Sequence, residues 1–158
     1  MTSTLLRGRV LDFTAEPHGP GDTDAYIYIE DGALLLTDDM IVARGTYSTI
    51  AAQAPDAPVT DHRPHLLMAG FIDTHLHFPQ VQVIASWGEQ LLDWLNDYTF
   101  PAEMKYADAQ HARAMARRFY DQLSAHGTTT AVAYCSVHAT SAEAFFAEAE
   151  ARNMRMIG

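Results

Sequence analysis

Residues 70–80 read Gly70-Phe71-Ile72-Asp73-Thr74-His75-Leu76-His77-Phe78-Pro79-Gln80. The stretch has the character of a short buried strand that ends in two histidines one residue apart. Side chains at i and i+2 on a strand leave the same face. Asp73, His75 and His77 are therefore expected to point together, and Ile72, Thr74 and Leu76 the other way. Neutral imidazole is a common ligand for zinc, and two on adjacent same-face positions can grip one ion. Two ligands are half of a tetrahedral site, so the stretch needs partners from elsewhere.

Working outward, Leu66 to Asp73 is nearly all apolar, the pattern of a parallel strand covered on both faces. Ser86 and Glu89 have capping-box spacing, which predicts a short helix from about Trp87 to Tyr98. Leu91, Leu95 and Tyr98 would share its buried face, and Pro101 would stop it. A longer helix is expected over Ala109 to His126, with Asp108 as N-cap and Gly127 as its C-terminal stop. Met115, Phe119 and Leu123 fall on it at i, i+4 and i+8, which is core spacing. Thr128 to Cys135 reads as a second strand. Thr140 and Glu143 offer another capping box, for a helix to about Arg152, and Arg155 to Gly158 opens a third strand.

Strands alternating with helices in this way build parallel sheets or (β/α)8 barrels, whose ligands gather at the C-terminal ends of the strands. The two histidines lie at such an end. The fold class expected is α/β: the start of a barrel, about two and a half units and incomplete, preceded by a small β module. A full barrel takes about 250 residues, and the whole chain has 158.

Upstream, residues 1–65 read as that small β-rich module and a linker, and 66–158 as the barrel portion. Leu5 to Phe13 and Tyr26 to Glu30 are strand candidates, and Asp31-Gly32 signals a hairpin turn before Ala33 to Thr37. Asp38-Asp39 turns the chain again into Met40 to Ala43. The loop Glu16 to Asp24 is acidic, but it lacks the ligand order of an EF-hand and is expected to be solvated. Ala51 to Pro64, rich in Ala, Pro and Asp, reads as the linker.

The composition narrows the function. The net charge is −10, from 20 acidic against 10 basic side chains, which repels a phosphate backbone and argues against nucleic-acid binding. The single cysteine, Cys135, excludes an intramolecular disulfide and fits a reducing compartment. No apolar run approaches the length of a membrane span. No apolar core follows Arg7 and Arg9 as in a signal peptide, so the location expected is cytoplasmic. The His-x-Glu and Pro-Cys-x-x-Cys pattern of the cytidine deaminases is missing, which excludes that route to deamination, and phosphate-loop and nucleophile-elbow signatures are missing too.

Phe71-Ile72-Asp73-Thr74-His75-Leu76-His77 resembles the first-strand zinc motif of the amidohydrolase superfamily. Four further segments resemble one family within it, the guanine deaminases. These are His77-Phe78-Pro79-Gln80; Leu91-Leu92-Asp93-Trp94-Leu95-Asn96-Asp97-Tyr98-Thr99-Phe100-Pro101-Ala102-Glu103; and Gly127-Thr128-Thr129-Thr130-Ala131 with Val137-His138-Ala139-Thr140-Ser141. The zinc motif identifies only the superfamily, whereas the Trp-Leu-x-x-Tyr-Thr-Phe-Pro segment is specific to the family. Ala69 departs from the proline usual before Gly-Phe-Ile-Asp, and Asp38-Asp39 departs from an Asp-Gly turn.

The resemblance implies hydrolysis of guanine to xanthine and ammonia at one zinc ion, with His75 and His77 as two of its ligands and Gln80 contacting the purine. It also implies that two more histidines, an aspartate and the proton-shuttling glutamate lie outside this chain, so no catalytic residue is expected within it. A homodimer is expected for the longer protein. On this reading the chain is the N-terminal part of such an enzyme, inactive and prone to aggregate alone. Two alternatives stand beside it: a related amidohydrolase acting on another aminated or a chlorinated ring, and a non-catalytic product that binds a partner. Asp73 is expected to support the site or the strand end rather than bind metal, His138 to lie at the surface, and Trp87, Trp94 and Cys135 to pack in the core. His62, His65, His111 and His126 carry no expected role.

Overall fold

The structure is a computed structural model and describes residues 2–158. It divides into two compact units, the first ending at Ala69 and the second beginning at Gly70.

In the first unit, β1 (Ser3–Phe13), β2 (Tyr26–Thr37), β3 (Met40–Thr46), the short helix α1 (Tyr47–Gln53) and β4 (Val59–Leu67) follow one another. The sheet runs β3-β2-β1-β4, with β4 parallel to β1 and the other neighbours antiparallel. Leu5, Ala33, Leu35 and Ile50 form its buried core. Two expectations fail here. Asp31-Gly32 is not a hairpin turn, because β2 runs straight through it. Gly8 pairs with Gly32 but Val10 with Ile29, so β2 holds the extra residue of a β-bulge there. The Asp31 carboxylate is taken by the Arg7 guanidinium, with both oxygens at 2.7 Å, and Gly32 lies so close to Val10 that a Cβ would sit 2.6 Å from its Cγ2. Nor is 51–64 only a linker: Ile50 anchors α1 against the sheet, and Thr60 and Asp61 pair with β1. The true hairpin is Asp38-Asp39, both at positive φ (48° and 67°), the signature of a type I′ turn.

In the second unit, β5 (Phe71–His77) is followed by a 3-10 turn over Phe78–Gln82. A broken helical segment comes next: α2 (Leu91–Trp94), a π-helical turn over Leu95–Thr99, and α3 (Phe100–Met104). The chain then runs through α4 (Ala109–Ala125), β6 (Thr128–Tyr134), α5 (Ala139–Ala151) and β7 (Arg155–Ile157). The three strands form one parallel sheet, β5-β6-β7. The apolar run 66–73 is thus two strand ends, not one strand, since β4 stops at Leu67 and β5 begins at Phe71. Gly70 marks the break, where a Cβ would collide with the Thr129 side chain.

The helix expected at Trp87 starts later, behind Gln90, with no side-chain cap. Pro101 does not stop it either. Proline is tolerated in the first turn of a helix, where its missing N–H costs nothing, and the wide turn before it absorbs the change of path. Leu91 and Tyr98, expected to be buried, are exposed, as is Trp87. α4 matches its expectation. The Asp108 carboxylate accepts from the Gln110 and His111 amides, and Gly127 leaves the helix at φ 78°. Met115, Phe119 and Leu123 are buried. At the start of α5, Thr140 does not close a capping box: its hydroxyl donates to the Tyr106 carbonyl.

The core of this unit centres on Phe78, whose ring meets those of Tyr106 (5.1 Å), Phe119 (5.4 Å) and Phe145 (5.6 Å). The Tyr120 hydroxyl donates to the Phe145 carbonyl at 3.0 Å and ties α4 to α5. Among the described residues the sheet is open, the beginning of a barrel rather than a closed one.

Candidate metal centre

β5 delivers His75 and His77 to the C-terminal end of the parallel sheet. Asp73 pairs with Ala131 and Leu76 with Ala133, so β5 carries one more residue than β6 between those rungs. Bulges of this kind re-aim side chains next to functional sites. Here the Asp73 carboxylate accepts the His75 amide at 3.0 Å, satisfying a donor that the irregular ladder leaves over. The aspartate supports the strand end, as expected. Leu76 turns inward against the core, while both imidazoles remain exposed.

The two Nε2 atoms are 3.3 Å apart, with ring centroids at 5.1 Å and planes at 68°. Two nitrogens about 2.05 Å from a tetrahedral zinc ion lie about 3.3 Å from one another. The pair therefore fits two vertices of one coordination tetrahedron. The same spacing lets one neutral imidazole donate to the other when no ion bridges them. Among the described residues no group of three or more His, Cys, Asp or Glu converges on a metal position.

Gln80 sits in the 3-10 turn after β5, held in place by the fully buried Phe78 and Pro79 beside it. It lines one depression together with His75 and His77, walled by Val81, Ile84 and Phe119. Its Nε2 donates to Glu103 Oε1 of α3 at 3.4 Å. Glu103 escaped the reading of the sequence as a site residue, although it closes the quoted Thr-Phe-Pro-Ala-Glu segment. Tyr134 escaped it too. Its ring stacks on His77 at 5.1 Å and 24° and meets His75 edge-on at 5.4 Å. Only the strand register brings it there, and register cannot be counted from residue spacing.

The remaining candidates behave differently. His138 is not a plain surface histidine: it is half-buried at the entry to α5, and its Nε2 is buried with no hydrogen-bond partner, as are Thr99 Oγ1 and Tyr106 Oη. Burial pushes the Tyr106 hydroxyl far above its ordinary range, which keeps it neutral. Burial also pushes the Cys135 thiol up, against a smaller opposing hydrogen bond with Ser141. It therefore stays a thiol at neutral pH, a packing residue and not a nucleophile. Trp94 is half-buried, its indole N–H donating to the Ser86 carbonyl at 3.1 Å.

Residues 66–158 match the Amidohydrolase family. Over 158 aligned residues the chain is 41% identical to guanine deaminase of Escherichia coli (strain K12), an alignment covering 99% of this chain and 36% of that one. It is 44% identical to a probable guanine deaminase of Deinococcus radiodurans, covering 97% and 36%. A solved guanine deaminase from Bradyrhizobium japonicum superposes with a TM-score of 0.92 at 40% identity, covering 99% of this chain and 34% of that one. The chain spans about a third of the length of these relatives. Because the family match takes in the strand bearing both histidines and runs on through both later strands, the chain belongs to the amidohydrolase family.

Proposed function

We propose that the chain is the N-terminal third of a zinc-dependent guanine deaminase, in which His75 and His77 are two zinc ligands and Gln80 contacts the purine. The reaction is guanine plus water to xanthine plus ammonia. The observation that carries the metal assignment is the 3.3 Å separation of the two Nε2 atoms, the spacing of two nitrogens on one tetrahedral ion. The substrate assignment draws on the relatives of 41% and 44% identity, which bear that activity in their names.

Zinc held by imidazoles supplies Lewis acidity, which makes water a competent nucleophile at neutral pH. The chain's own residues hold and orient. His75 and His77 present Nε2; Asp73 fixes the backbone from which His75 projects. Gln80 offers an amide with both donor and acceptor, matched to the mixed edge of a guanine base. The other metal ligands and the proton-transfer group are assigned to residues beyond these 158, and residues 1–65 to a separate small β module. The partner is a small purine. A net charge of −10 supports the exclusion of nucleic acid, and no helix among the described residues is long and apolar enough to cross a membrane. A homodimer and a cytoplasmic location belong to the same reading.

The test uses the protein at the length of its relatives. Loaded with zinc, it should release ammonia from guanine and lose that activity in His75→Ala and His77→Ala. Release of ammonia or chloride from another ring, with guanine untouched, would replace this reading by a different amidohydrolase activity.

A further inference from the structure

The two imidazoles do not stand alone at the end of β5. Tyr134 closes β6 and is the register partner of His77. Its ring stacks on one histidine and meets the other edge-on, at 5.1 and 5.4 Å. Both geometries are preferred ones for aromatic pairs. Core packing does not account for the residue, because Tyr134 is 56% exposed and lies outside the buried cluster. What it covers is the histidine pair.

We propose that Tyr134 is a positioning residue for the metal ligands, which keeps both Nε2 atoms directed at one ion. The inference rests on reading His75 and His77 as ligands. Two effects act together. An exposed imidazole at a strand end samples several rotamers, and a neighbouring ring in contact with both removes that freedom before the ion arrives. An imidazole that donates its lone pair to a cation also becomes electron-poor, and the π-face of a phenol favours a positively polarised neighbour. The stack is thus stronger in the metal-bound state than in the free one, and that difference adds to metal affinity.

The experiment is a metal competition against a chromophoric chelator in the protein at its relatives' length, with the visible spectrum of the cobalt form as a second readout. Tyr134→Phe keeps the ring and should bind within about threefold of wild type. Tyr134→Leu and Tyr134→Val should bind about tenfold more weakly, the lower end of what loss of a ligand-orienting neighbour costs, with an altered cobalt spectrum. Two aliphatic variants of different shape are used so that a folding defect in one does not decide the matter. Wild-type affinity and an unchanged spectrum in a folded aliphatic variant would overturn the role of Tyr134 and leave the ligand assignment standing. A wild-type protein that binds no metal would overturn the ligand assignment itself.

Discussion

The side-chain amide of Gln80 donates to the carboxylate of Glu103 across 3.4 Å, so the turn after β5 is tied to α3. A carboxylate can only accept. Glu103 therefore takes the NH2 end of the amide of a residue that lines the depression beside the histidines. In Glu103→Ala the amide is free to turn over. On the proposed guanine deaminase reading, KM for guanine should rise about tenfold, in line with loss of a hydrogen bond to a charged group, while kcat falls less. Steady-state kinetics on the longer protein check this, and an unchanged KM counts against an orienting role.

The site is built on Phe78, whose ring touches Tyr106, Phe119 and Phe145 directly behind the histidine strand. Phe78→Ala should cost about 3–5 kcal/mol, the range for removing a buried phenyl ring. Because Gln80 hangs from the same turn, substrate affinity should fall with it. Denaturant unfolding and a binding titration measure the two effects.

A pH effect follows from the cap of α4. The Asp108 carboxylate accepts two backbone amides, and these hydrogen bonds hold its pKa below the ordinary carboxylate value. A group with a depressed folded pKa contributes stability that is fully present above its unfolded pKa, near 4, and is lost as pH falls through the folded value. Asp108→Asn keeps a capping oxygen without the charge. Wild type should be the more stable at pH 7, and the two should converge in acid. Melting temperatures across pH 2–7 check the sign.

The 158-residue chain by itself leaves Phe71, Ile72, Leu91, Leu92 and Ile157 exposed on the second unit. Exposed apolar area of this kind binds dyes and drives association. The isolated chain should bind a hydrophobic fluorophore and elute from size-exclusion columns as aggregates. A monodisperse 17.5 kDa species without dye binding would contradict this.

Much of the second unit was legible because local signals and tertiary structure agree there. Asp108, Gly127 and the Met115–Phe119–Leu123 stripe define α4 from cap to stop. The failures have physical causes too. Asp31-Gly32 has the composition of a turn, but an ion pair to Arg7 and close packing on Val10 draw it into a strand. Pro101 breaks a helix interior, yet it falls in a first turn behind a π-helical one. Leu91 and Tyr98 have the spacing of a buried face, but they stay 70% and 40% exposed. His75, His77 and Gln80, picked out by spacing and resemblance, line one depression. Tyr134 and Glu103 were not picked out, because strand register and the path of a broken helix place them.

His75 and His77 are proposed to share one metal ion. Anomalous diffraction at the zinc edge, from crystals of the protein at its relatives' length grown with zinc, addresses it directly. One peak is expected about 2.0–2.1 Å from both Nε2 atoms. A peak bound elsewhere, or two imidazoles bonded only to each other in zinc-replete crystals, would contradict it.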